Sequence, residues 1–268
     1  DLNDDEFMTE QILDIAGEVQ DYINKSYDMF AGRILNMKGK HRFDIKQECV
    51  AKSAFWVTKK RYGQWIINDG GLKCDKLDVK GLDIVRSNFP VAMRKLMTEV
   101  LQDILSNKDK DIIDEKIIEF KKIMKKAPIG DIALPTGVKG LSKYTDKNSR
   151  GKFNDKTIFT KTRKSTPVHV KASLKYNDLL KYFKLENTEP IRNSEKIKWT
   201  YLKKNPLGID ALAFKGYDDP DKIINFIEEY IDHDRLFEGA LQKKIKMFYG
   251  ALSWELPVDK KNTLERFF

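Results

Sequence analysis

The chain has 268 residues, 41% of them hydrophobic and 34% charged, with a formal net charge of +9. That length can bury a core, and the surface it leaves is unusually charged. No stretch approaches the ~18 consecutive apolar residues of a membrane span, and no apolar run with a cleavage site opens the chain, so neither a membrane protein nor an exported one is expected. Cys49 and Cys74 are too few for a disulfide framework and lack metal-ligand spacing, which points to a reducing compartment.

The charge is concentrated. Between Val138 and Lys175 there are eleven Lys and Arg against two Asp, and the rest of the chain is balanced at 39 basic and 39 acidic residues. Such a window is the electrostatic footprint of a polyanion partner, the alternative being a solubilising loop. The first residue is Asp1 rather than Met, which leads to the expectation of an upstream segment.

In chain order, Asp4 to Leu35 reads as a long amphipathic helix. Met8, Ile12, Ile15, Val19, Ile23 and Phe30 fall near helical spacing, and acidic residues crowd the first turns, where the helix dipole favours them. Its acidity suits it to packing rather than to DNA. Gly39 breaks the pattern. Arg42–Val57 and Lys60–Asn68 then read as two strands joined through Lys59-Lys60-Arg61, and Asn68-Asp69-Gly70-Gly71 as a turn. On strand alternation Lys60 and Tyr62 share one face, with Lys59 and Arg61 on the other. Pro90 opens a helix with Met93, Leu96, Val100 and Ile104 on one face. Ser106-Asn107-Lys108 connects it to a second over Lys110–Lys126 with Ile113, Ile117, Phe120 and Ile123, and the pair should form an antiparallel hairpin.

The segment 127–166 has weak periodicity and carries the basic window. Val168–Lys184 is helical. Lys196–Leu202 alternates as a strand, turns at Asn205-Pro206-Leu207-Gly208 and returns through Ile209–Phe214. Asp219-Pro220 starts a helix with Ile223, Ile227 and Tyr230, and a last helix holds Leu236, Phe237, Leu241, Ile245 and Phe248. The expected class is α+β, with a helix and antiparallel strands first and a mainly helical part with a small β-hairpin after.

The chemistry that is missing narrows the function. Gly70-Gly71 lacks the helix and Lys of a phosphate-binding loop. His41, His169 and His233 are scattered, without a second metal ligand at useful spacing. No Ser or Cys sits in a nucleophile motif. Asp4-Asp5, Asp218-Asp219 and Glu228-Glu229 are most simply surface charge rather than the paired carboxylates of two-metal catalysis. No catalytic residue, metal ligand or bound cofactor is assigned. What remains suits nucleic acid held without sequence reading: Lys59, Lys60, Arg61, Arg86, Ser87, Lys143, Tyr144, His169 and Lys171 each reach phosphate or sugar oxygens.

The order of these pieces resembles the C-terminal part of a family B DNA polymerase, and is similar to the replicative enzymes of tailed myophages. Phe55-Trp56-Val57-Thr58-Lys59-Lys60-Arg61-Tyr62 resembles the family's KKRY element on the palm. Lys80-Gly81-Leu82-Asp83-Ile84-Val85-Arg86-Ser87 resembles the passage from palm to thumb. Leu141-Ser142-Lys143-Tyr144 and Val168-His169-Val170-Lys171 are similar to thumb elements on duplex backbone, and Lys203-Lys204-Asn205-Pro206-Leu207-Gly208 to the phage thumb's hairpin turn. The last residues, Leu264-Glu265-Arg266-Phe267-Phe268, resemble the tail that docks on a sliding clamp.

The resemblance implies a palm piece over 1–87, a thumb over 88–258 and a clamp-docking tail over 259–268. It implies Lys60 in the minor groove near the primer end, where acceptors are nearly alike for every base pair, Tyr62 supporting the primer backbone, and Arg86 and Ser87 near the primer strand. Leu264, Phe267 and Phe268 become the clamp contacts. The family's fingers helix, aspartate motifs and exonuclease domain are absent, so the implied partners are primer–template duplex, an N-terminal polymerase half in the same or a separate chain, and a sliding clamp. Mg2+ is then expected in the complete enzyme, no membrane partner is expected, and the implied setting is the cytoplasm of a phage-infected bacterium. The alternative is a stand-alone DNA-binding or clamp-associated accessory protein.

Overall fold

The computed structural model describes residues 4–144 and 159–257, and these fall into two compact units, one running to Gly81 with Ile104–Asn107, the other formed by Leu82–Asp103 and the chain from Lys108 on. The class is α+β with antiparallel sheets, as expected.

In the first unit, α1 covers Asp4–Met29 and runs directly into a π-helical turn over Phe30–Ile34. The connector that follows is strapped to this helix by polar side chains. Asn24 accepts from the Ile45 N–H (2.9 Å) and donates to the Ile45 carbonyl (3.1 Å), Gln20 accepts from the Gln47 N–H (2.7 Å), and Asp28 meets His41 at 2.8 Å. The expectation of a strand from Arg42 is therefore corrected: Ile45 and Gln47 spend backbone hydrogen-bonding groups on the helix, and β1 begins at Cys49. The expected packing of the α1 stripe is corrected too, because Met8, Ile12, Ile15, Val19 and Phe30 are all exposed.

Strands β1 (Cys49–Thr58), β2 (Arg61–Asp69) and β3 (Leu72–Lys80) form an antiparallel meander in that order. Val50, Phe55 and Ile66 supply its buried apolar side chains. Asp69 pairs with Leu72, leaving Gly70-Gly71 as a two-residue loop with both φ angles positive (59° and 88°), a geometry that glycine adopts at no steric cost. Strand β3 was not expected, since five of its nine residues are Lys or Asp. It is held by its ladder to β2 and by a rung across all three strands, in which Lys52 lies 4.3 Å from the Trp65 ring centroid and Trp65 Nε1 donates to Asp75.

The second unit opens with a 3₁₀ turn, Asp83–Val85, and helices α2 (Val91–Leu105) and α3 (Lys110–Ile123). Met93, Leu96 and Val100 are buried on α2, and Ile113 and Ile117 on α3. Lys108 (2.8 Å) and Lys116 both donate to the buried Asp103. Burial works against its charge, but these two ammoniums outweigh that and hold the carboxyl below the usual range.

A short helix α4 (Ile129–Ile132) leads into β4 (Leu134–Gly137), which pairs with β5 (Lys196–Tyr201), itself paired with β6 (Ala211–Phe214). The expected hairpin is therefore a three-stranded sheet. Four residues including Pro135 carry no readable alternation, and proline is tolerated there because β4 is an edge. Helix α5 (Leu141–Tyr144) follows, and then α6 (Val168–Tyr182). Tyr176 and Leu179 of α6 share the core with Trp199, Leu212, Phe214 and Ile223. Helices α7 (Asp221–Tyr230) and α8 (His233–Leu236), a π-helical stretch over Phe237–Gln242, and α9 (Lys243–Ala251) complete the unit. The apolar residues expected in the last helix are all buried, and Tyr249 fastens α9 to α3 by donating to Asp114 at 2.6 Å.

Candidate nucleic-acid interface

The basic hairpin is built outward from its turn. Thr58 pairs with Arg61, so Lys59 and Lys60 are the loop, and both are exposed. Lys60 has φ 64°, in the left-handed region that costs a residue with a Cβ about 1–2 kcal/mol. The expected alternation of Lys59 and Lys60 across the sheet is corrected: the two-residue period does not run through a turn, and only Arg61 and Tyr62 belong to a strand.

Tyr62 lies near the start of the central strand, paired with Trp56 on β1 and with Lys80 on β3. Strand β3 then delivers Gly81 against the turn. Gly81 has φ 67°, and a Cβ placed on it would overlap the Lys60 carbonyl oxygen and lie 3.2 Å from the carbonyl carbon and 3.3 Å from Arg61 Cγ. The two segments singled out in the sequence thus meet through backbone at Lys60 and Gly81. Sequence reasoning assigned Gly81 no part of its own, and its signal was a glycine ending a strand pattern.

Arg86 and Ser87 follow the 3₁₀ turn of the second unit. The Arg86 guanidinium lies 3.3 Å from Asp83, and the same carboxylate takes Lys244 at 2.8 Å. The Arg86 backbone is held by Arg94, whose Nη2 donates to the carbonyls of Arg86 (2.9 Å) and Phe89 (3.0 Å). Ser87 is exposed. This corner presents one cation and one hydroxyl on a fixed backbone.

The basic window supplies a further group in the second unit. Lys143 is exposed, with its ammonium 5.8 Å from the Tyr144 ring centroid, and Asn193 fixes the start of α5 by accepting from the Leu141 N–H at 2.9 Å. The Tyr144 carbonyl accepts from the Arg163 N–H at 3.4 Å, and Thr160 donates both its N–H (2.7 Å) and its hydroxyl (2.9 Å) to the buried Asp178. These bonds tie down Tyr144, Thr160 and Arg163 within the window. Lys139, Lys161, Arg163 and Lys164 are exposed beside the residues named from sequence, and they were visible there only as part of the general charge.

On α6, Lys171 is half-buried, and so is His169, whose pKa burial pushes below its ordinary value of 6.5. His169 is therefore neutral at pH 7 and offers a ring N–H rather than a charge. Lys175 is engaged with Asp210. Leu264, Phe267 and Phe268, the expected clamp contacts, lie outside the described residues.

Among the described residues no three His, Cys, Asp or Glu side chains come together as a metal site, and no helix is long and apolar enough to cross a membrane. Exposed cations on the sheet turn of the first unit and, separately, on the fixed corner and the basic window of the second can each meet a polyanion.

No curated protein matches the chain. The family model for DNA polymerase family B matches residues 10–242, a span that takes in the basic hairpin, the Arg86 corner and the basic window. This chain belongs to DNA polymerase family B.

Proposed function

We propose that this chain is the primer–template-gripping portion of a DNA-directed DNA polymerase, made of the last palm strands (1–87) and the thumb (88–258). It works with an upstream part that carries the fingers, the exonuclease and the catalytic aspartates, and alone it does not polymerise. The Mg2+ of the complete enzyme belongs to that upstream part. In this reading Lys60 enters the minor groove near the primer end and Tyr62 supports the primer backbone, while Arg86, Ser87, Lys143, Tyr144, His169 and Lys171 track phosphates. The tail 259–268 docks on a sliding clamp through Leu264, Phe267 and Phe268, and the setting is phage DNA replication.

The observation that carries the reading is the seating of the Lys59-Lys60 turn on Gly81. A lysine turn fixed by backbone keeps its charge in one place, as sequence-independent contact with a groove requires.

The test is binding of a fluorescent primer–template duplex across a salt series. Tight binding that falls steeply as salt rises is expected, with a slope that counts the phosphates neutralised. Supplying the upstream half should then restore primer extension, and Lys60→Ala should lower that extension while leaving folding intact. Duplex affinity that is absent at low salt, together with extension indifferent to Lys60, would remove the reading.

A further inference from the structure

Helix α6 ends in a groove that none of the DNA candidates lines. The chain leaves the helix through two backbone bonds that reverse its direction. The Leu185 N–H donates to the Leu180 carbonyl at 2.8 Å, and the Lys184 N–H to the Lys181 carbonyl at 3.1 Å. Such a closure usually has glycine at its left-handed position and commonly brings two apolar residues together, here Leu180 and Leu185. Asn177 pins the returning chain by accepting from the Ile191 N–H (2.7 Å) and donating to the Ile191 carbonyl (2.9 Å). Between the helix end and this returning chain lies an open groove of about 330 Å³, with Leu180, Leu185 and Pro190 as its apolar lining and Lys181 and Lys184 beside them. A water molecule's share of liquid volume is about 30 Å³, so the space can take a bulky side chain.

Charge and backbone together say what enters. Lys181 and Lys184 are both exposed, and Lys184 has φ 54°, a conformation that glycine takes freely and a residue with a Cβ takes at a cost. The helix dipole favours a cation in the last turn, and Lys181 meets that demand. It does not require a side chain at the left-handed position. Lys222 adds a third cation, 5.9 Å from the Phe183 ring centroid. Against these the groove sets Glu186, while Glu189 is engaged with Arg192 at 3.5 Å. The excess is positive, so the complementary ligand is acidic. None of the residues lining the groove is aromatic, so it lacks the rings on which nucleic-acid bases stack. Along α6 the last turn lies about 20 Å from His169 at 1.5 Å per residue. An apolar floor between cations therefore suits an acidic protein segment with an apolar anchor.

We infer that this groove is the docking site for a segment of a separate protein that carries one bulky apolar side chain between acidic residues. The side chain seats on Leu180, Leu185 and Pro190, and the carboxylates meet Lys181 and Lys184. The inference does not rest on the DNA reading, because none of these residues takes part in it.

The test measures binding of the whole chain to three fluorescent peptides of one length: a Phe flanked by aspartates, a Ser flanked by aspartates, and a Phe flanked by lysines. The first should bind at least about tenfold more tightly than either of the others. Lys184→Gly relieves the φ 54° backbone, so its melting temperature should hold or rise. Its affinity for the first peptide should nevertheless fall by about threefold or more, which a lysine serving only the helix end would not cause. Lys181→Glu and Lys184→Glu together should turn the preference toward the lysine-flanked peptide. At physiological salt, where the screening length is about 8 Å, duplex DNA should not displace the first peptide. Both variants should also keep the parent's duplex affinity, so the fate of this inference and that of the DNA reading are told apart. Equal binding of the two aspartate peptides, indifference of peptide binding to both variants, or displacement by duplex would each overturn the assignment.

Discussion

Gly81 and Lys60 touch through their backbones: a side chain on Gly81 would overlap the Lys60 carbonyl, and both residues have positive φ, 67° and 64°. One of them can hold that conformation without strain and the other holds it with a side chain attached. The turn that presents the lysines is therefore set from below by a residue twenty-one positions along the chain.

Gly81→Ala should therefore cost stability and grip together. A left-handed residue with a Cβ costs about 1–2 kcal/mol, and the overlap with Lys60 forces the turn to move as well. A loss of about 2 kcal/mol or more in urea unfolding is expected, with weaker duplex binding. An unfolding midpoint equal to that of the parent chain would show that the contact does not constrain the turn.

Lys60→Gly separates the side chain from the backbone. Glycine relieves the φ 64° conformation, so stability should hold or rise by up to about 1 kcal/mol. The lost cation should lower duplex affinity and reduce the salt slope by roughly one. Unchanged affinity with the same slope would show that Lys60 contacts no phosphate or groove.

Asp83 and Arg86 make an opposed pair. Asp83 is shared by Arg86 and Lys244, so Asp83→Ala leaves two cations without their carboxylate. It should cost about 1–2 kcal/mol, at the low end for charged hydrogen bonds because Arg86 is largely exposed, while tightening duplex binding at low salt. Arg86→Ala should weaken that binding. Equal effects of the two variants on affinity would argue against a phosphate near Arg86.

Asp178 tests how the basic window is held. Burial pushes its carboxyl above the usual range, against the pull of the two bonds from Thr160. Asn accepts from the Thr160 N–H and donates to its hydroxyl, so Asp178→Asn should be close to neutral in thermal melting. Asp178→Ala strands both Thr160 groups and should cost about 1–3 kcal/mol. Equal losses for Asn and Ala would point to a need for the charge itself.

Stability should also fall below neutral pH. Burial holds both His169 and His233 below 6.5 in the folded chain, with Lys203 and Lys125 adding to the effect on His233. A depressed folded pKa means that the unfolded chain takes up protons first. The contribution is whole above the ordinary value and is lost as pH drops through the folded ones. Melting temperature at pH 5.5 should lie below that at pH 7.5, with a smaller difference in a variant with His169→Gln and His233→Gln together. The same difference in that variant would assign the effect to other groups.

The sequence by itself determined most helices and the central strands of this protein. Stripes such as Met93, Leu96, Val100 and Leu236, Leu241, Ile245 state their period locally, and Gly70-Gly71 and Pro90 punctuate the chain by local backbone chemistry. The identity of the basic candidates was legible for the same reason, since charge is a property of composition. Tertiary structure alone decided how they are presented. Strand β3 has too little apolar patterning to be read, and it exists because β2 offers it a ladder. Strand β4 is four residues long and depends likewise on β5. The seating of Lys60 on Gly81 could not be read from either residue, because it arises only when a three-stranded meander brings the end of β3 back beside the first turn. The α1 stripe shows the converse: its period was plain in the sequence, but periodicity states that a face is apolar and not what covers it. Which side of the helix the chain would keep for itself was decided by Gln20, Asn24 and Asp28, whose hydrogen bonds to the connector form only in the folded chain.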